Sequence, residues 1–198
     1  LAAAGHDVHL LCQDLAPDEL RFVDAVGEWS GGALSVRAID RVRPEGWGHY
    51  TVYRPGIGGL LPVYVADRYE GFTAKTFPEL TDAELDSYLA ANIRAVQDVC
   101  AIAAPDCALA NHMVMGPYVL AHGLPGSVPY AVKVHGSAME YIVRPNPRFV
   151  PYAVEGMQRA ATVLVGSTHI ADRLYDTVKI EGLAARTFLG PPGVDVES

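Results

Sequence analysis

Short apolar runs that read as strands alternate along this chain with longer stretches whose apolar residues return every three or four positions. Such alternation limits the fold more than any other feature. Parallel strands need a crossover between them, and a helix that packs back on the sheet is the usual one. The runs are Asp7 to Cys12, Ala33 to Ile39, Cys107 to Ala110, Tyr130 to Val134, Thr162 to Val165 and Arg186 to Leu189. Between them, Thr81-x-x-Glu84 forms a capping box ahead of Leu85, Leu89, Ile93, Val96 and Cys100, which predicts a long amphipathic helix. Pro17 to Val26 predicts a short helix from its start signals and its spacing of Leu20, Phe22, Val23 and Val26. Pro117 to Ala121, Pro151 to Ala161 and Ser167 to Val178 complete the helical set, with Ser167 as the cap of the last. The expected fold is α/β, a doubly wound, mainly parallel sheet with helices on both faces.

The segment from Arg43 to Gly71 breaks this rhythm. Pro44, Pro55 and Pro62 stand among glycines and beside Tyr50, Tyr53, Tyr64 and Tyr69, which predicts short strands around a long shaped loop. Within it, Gly56-Ile57-Gly58-Gly59 has part of a dinucleotide fingerprint, but Leu61 stands where the third glycine belongs, and the segment is discounted. At the other end, Gly190-Pro191-Pro192-Gly193 predicts a stiff exit from the domain. The expected organisation is therefore one domain over residues 1–190, with 191–198 starting a linker. The chain opens on Leu1-Ala2-Ala3-Ala4-Gly5, which reads as the last turn of a helix, so part of the fold is expected upstream.

Charge and cysteine usage remove several classes of function. A formal charge of -8 over 198 residues supplies no basic field for nucleic acid. No apolar run is long enough to span a bilayer, and no signal peptide is evident, so the expected location is the cytoplasm. Cys12, Cys100 and Cys107 lack paired spacing, which argues against a disulfide framework or a metal site. The common phosphate-loop, zinc-protease and serine-hydrolase signatures are missing.

In open α/β sheets ligands gather outside the carboxyl ends of the strands. Asn111 and His112 follow one strand, and His135-Gly136-Ser137 follows the next, so this edge is the expected site. Ser137-x-x-Glu140 reads as a second capping box that starts a helix there. Gly136 would let a ligand approach the backbone, and the helix N-terminus suits a phosphate or sugar oxygen, a preference that Glu140 weakens. His135 is the expected ligand-facing group, and His112 is either a second one or a histidine satisfied within its loop. His6, His9, His49, His122 and His169 are expected at the surface or in turns.

Several short motifs occur in an order that resembles a known family. Gly5-His6-Asp7-Val8 resembles the G-H-x-V motif of family-4-type glycosyltransferases of GT-B fold. Pro129 to Ser137 is similar to that family's strand ending in His-Gly, and Ala161 to Ser167 is similar to its A-x-x-V-x-x-S strand and cap. Pro192-Gly193-Val194-Asp195 resembles its P-x-G-V-D. The resemblance implies the acceptor-side, Rossmann-like N-terminal half of a retaining transferase. That enzyme would move a sugar from a nucleoside-diphosphate sugar to a small-molecule or glycan acceptor without a metal or cofactor. It also implies His135 as the catalytic-cleft histidine, with Gly136 as its backbone-approach glycine. Asn111, His112, Ser137 and Glu140 join them as acceptor-binding candidates. The donor carboxylates and leaving-group cations would lie in a second domain, so this stretch alone is expected to be inactive. Alternatives are another GT-B enzyme, such as a nucleotide-sugar epimerase or phosphorylase, or a non-catalytic ligand-binding α/β domain. Peripheral membrane contact stays open, although no strongly basic amphipathic helix supports it.

Overall fold

The computed structural model describes residues 1–190, in which two four-stranded sheets and a two-stranded ribbon are joined by helices. The P-x-G-V-D segment and the linker over 191–198 lie outside the described residues. The first sheet holds β1 (Val8–Leu11), β2 (Ala25–Ser30), β3 (Ala33–Ala38) and β4 (Tyr50–Arg54), in the order β1-β4-β2-β3. β1 and β2 both run parallel to β4, while β3 returns antiparallel along β2. A tight turn makes that return: Gly31 and Gly32 both have positive φ, 57° and 81°, which suits the right-handed twist of a hairpin. Ahead of β1, Ala2–Ala4 form one 3-10 turn that closes on Gly5 in the left-handed region.

The helix expected from Pro17 to Val26 does not form. Pro17–Glu19 make one 3-10 turn, a second turn closes where the Val23 amide donates to the Leu20 carbonyl, and β2 begins at Ala25. Val23 and Val26 are buried against Val52 of β4, with Leu20 and Ile39 packed on them. Four apolar residues over seven positions suit either period, and the glycine hairpin that pairs β2 with β3 decides for the strand.

The irregular middle contains β4 and then β5 (Leu60–Val63), and β6 (Thr73–Thr76), just beyond it, pairs with β5 in parallel. The glycine segment before β5 leads into that strand and not into a helix, as its missing third glycine predicts.

The second sheet is parallel throughout, in the order β10-β9-β8-β7. Its strands are β7 (Ala108–Asn111), β8 (Tyr130–Val134), β9 (Thr162–Val165) and β10 (Thr187–Leu189). The long expected helix, α1 (Asp82–Ala103), precedes it. The Thr81 side chain accepts the Glu84 amide and Glu84 returns to the Thr81 amide, as the capping box requires. α2 (Gly116–Gly123), α3 (Val150–Gln158) and α4 (Thr168–Val178) link the strands, and Ser167 caps α4 by accepting from the Ile170 amide.

One main core joins these parts. Ala110 is nearly buried, and Val132, Val134, Val163 and Val165 lie within 3 % of full burial. They meet Leu85, Leu89 and Val96 of α1, Val119 of α2, Met157 of α3 and Leu174 of α4 in a single cluster. Each crossover steps to the next strand in the same direction, and a constant right hand then sets the connecting helices on one face. Residues of the other face tell the complementary story. Leu109 and Phe188, which the register places there with Ala131 and Leu164, remain 58 % and 55 % exposed. Among the described residues, helix cover over these strands is one-sided, where cover on both faces was expected.

Candidate functional site at the carboxyl ends of the parallel strands

Register brings the expected residues to one edge. Asn111 ends β7 opposite Lys133 of β8; His112 follows at once, and His135 follows Val134, the last residue of β8, so both leave the sheet at the same edge. His112 turns immediately. Its φ of 65° lies in the left-handed region, and its amide still donates to the Lys133 carbonyl at 2.8 Å. A non-glycine residue held there is uncommon, and such positions gather at functional sites.

The two imidazoles stand 4.9 Å apart, centroid to centroid, tilted by 48°. His135 Nε2 lies 3.5 Å from Asn111 Oδ1, at the limit of hydrogen bonding. On its other side the His112 ring meets Tyr64, with centroids 3.9 Å apart. His112 Nδ1 is buried without a hydrogen-bond partner. Burial, and then the neighbouring His135, push the His112 pKa down to about 4, so its ring is neutral near pH 7. A neutral imidazole keeps one donor and one acceptor nitrogen, which suits a hydroxyl and gives no fixed charge for an anion.

The segment after His135 differs from its expected form. Ser137 has helical angles (φ −58°, ψ −49°) and makes no capping bond, and Ala138–Val143 winds as a π-helix. An N-cap needs an extended backbone, which Ser137 lacks. Glu140, its expected partner, is held elsewhere. Arg173 of α4 donates two hydrogen bonds to its carboxylate, at 2.5 and 2.6 Å, and Arg144 stands 3.6 Å away. Arg173 above all keeps the Glu140 carboxyl below its ordinary range. The second capping box therefore does not form, and the Glu140 carboxylate serves the packing of the π-helix against α4. π-helical turns recur near functional sites because the wider turn re-aims the residues around it.

Gly136 sits in a tight place. A Cβ there would meet Ile170 Cδ1 of α4 at 3.3 Å, so the glycine allows close approach of α4 to the end of β8. Asn111, His112, His135, Gly136 and Ser137 thus share one edge, with Glu140 beside it but engaged. His9 departs from its expected surface place: it is half-buried in β1, with Nδ1 3.0 Å from the Tyr53 hydroxyl.

Tyr64 escaped the sequence reading as a member of this edge. Four tyrosines in one irregular loop look alike in sequence, and only its place directly after β5, two residues beyond Pro62, sets it apart. The sequence matches no protein-family model and no curated protein.

Proposed function

We propose that this chain is the acceptor-side domain of a retaining glycosyltransferase of GT-B type, which moves a sugar from a nucleoside-diphosphate sugar to a hydroxylated acceptor. The convergence of Asn111, His112 and His135 at the carboxyl ends of adjacent parallel strands carries this reading. Ligands of open α/β sheets collect at that edge, and the motif that resembles the family supplies His135 and Gly136. In this reading the finer fold is Rossmann-like, and a cover for the second sheet face belongs to the complete protein.

His135 is the group nearest the transferred sugar. With its Nε2–H donating to Asn111 Oδ1, Nδ1 accepts a hydrogen bond from a sugar or acceptor hydroxyl. His112 lines the same edge as a neutral ring, and Ser137 offers a hydroxyl beside it. The departing diphosphate and the oxocarbenium-like sugar need cations and carboxylates that the resemblance assigns to a second domain. Residues 1–198 are then a recognition half.

The test is a transfer assay on the complete protein with a panel of nucleoside-diphosphate sugars, following nucleotide release and product anomer. Transfer with retention is expected, and His135→Ala should lower kcat by about 100-fold or more, the scale of a lost transition-state hydrogen bond. Absence of transfer across the panel would sink the reading. Unchanged turnover in the variant would remove His135 from the site.

A further inference from the structure

The candidate edge is built from two consecutive strand ends and from one side chain that arrives from elsewhere. Tyr64 comes off β5, whose partner β6 leads into Phe77, so the ribbon delivers two aromatic rings together. Phe77 is fully buried and packs edge-on against Tyr88 of α1, with centroids 5.9 Å apart. Tyr64 lies next, 5.1 Å from Phe77, then His112 at 3.9 Å, then His135 a further 4.9 Å on. An unbroken row of rings runs from the long helix to the ligand edge.

The Tyr64 hydroxyl closes this row to the backbone. It donates to the carbonyl of Val114, in the wholly buried stretch Met113-Val114-Met115 that directly follows His112. A buried carbonyl needs a donor, and this one comes from a side chain fifty residues away in sequence. One residue therefore meets His112 twice: its ring covers the imidazole face, and its hydroxyl pins the backbone just beyond it. Burial raises the Tyr64 phenol far above the usual tyrosine range, so the hydroxyl stays a donor at any working pH.

We propose that Tyr64 is a positioning residue, which fixes the His112 ring and, through its contact, the orientation of His135 at the mouth of the site. The part that concerns turnover rests on the transferase reading; the ring geometry does not. The alternative is a tyrosine that only fills space under the β5–β6 ribbon. An aliphatic side chain of similar bulk would serve that role equally well, whereas it could not replace the ring face or the hydroxyl.

Two measurements separate these roles. In the unaltered chain, proton NMR should find the His112 ring protons shifted upfield by the Tyr64 ring, with direct through-space contacts between the two. Their absence overturns the proposal whatever any variant does. In Tyr64→Leu, with folding checked by circular dichroism, the shift should vanish and the through-space contacts between the His112 and His135 rings should be lost. Tyr64→Phe, which keeps the ring, should restore most of both. A folded Tyr64→Leu that keeps the His112–His135 ring contacts would also overturn the proposal. In the complete protein, Tyr64→Leu should lower kcat/KM by about 10-fold or more, and Tyr64→Phe by about 3-fold or less. If the unaltered protein transfers no sugar, the transferase reading fails while the NMR result still decides the role of Tyr64.

Discussion

His112 concentrates the physical cost of the candidate site in one residue. Its backbone sits at φ 65°, one ring nitrogen is buried without a partner, and burial keeps the ring neutral. In an unfolded chain the ring would protonate near pH 6.5. The folded value is lower, so its contribution to stability is complete above about pH 6.5 and is lost as the pH falls toward 4. The loss should be on the order of 2 kcal/mol. Urea unfolding between pH 4 and 7 measures it, and His112→Asn, which tolerates the left-handed backbone and does not titrate, should flatten that part of the profile. His135 and Asn111 could be picked out from sequence because they follow strand-like runs at the edge where ligands bind. The neutral state of His112 could not, since it depends on burial and on the neighbouring His135 ring, which only the folded chain supplies.

Elements with strong local signals formed as expected, and those with divided signals did not. α1 has a capping box and a long apolar repeat that agree, and both are realised. Pro17 to Val26 satisfied two periods at once, and the Gly31-Gly32 hairpin drew its end, Ala25 and Val26, into a strand while the rest turns. Ser137-x-x-Glu140 had the letters of a cap, but Arg173 captured the carboxylate across space. In Arg173→Ala, amide hydrogen exchange should accelerate through Ala138–Val143, and protection equal to that of the parent would deny Arg173 this anchoring role. The packing of α2 on α3 depends on a glycine in the same way. A Cβ at Gly156 would meet the Tyr118 amide nitrogen at 2.5 Å and the Pro117 carbonyl carbon at 2.7 Å. Gly156→Ala should therefore destabilise by roughly 1–3 kcal/mol despite its better helix propensity, as chemical denaturation can check.

Across the whole molecule, the main core gathers on one side of the parallel sheet. No helix among the described residues is long and apolar enough to cross a membrane. Two sets of substitutions compare the two faces. Val132→Ala, on the covered face, should cost roughly 2 kcal/mol, because it leaves a cavity against buried neighbours. Leu109→Ser and Phe188→Ser, on the open face, should each cost less than about 1 kcal/mol in residues 1–198. Equal losses on both faces, read from urea midpoints, would contradict one-sided cover. If the complete protein covers this face, the latter two costs should rise there toward the first.

The amino-acid sequence by itself determined the α/β class, the alternation of helix and strand in the second half, the capped start of α1 and the strand ends that hold His112 and His135. Those follow from hydrophobic period and local turn chemistry, which act over a few residues and are written in consecutive letters. Tertiary structure alone decided that β2 is a strand, that Glu140 pairs with Arg173, that one face of the parallel sheet stays open and that Tyr64 backs the histidine pair. Each of these outcomes joins groups far apart in the chain. Their energies arise from burial and contact in three dimensions, and no short window of sequence contains both partners.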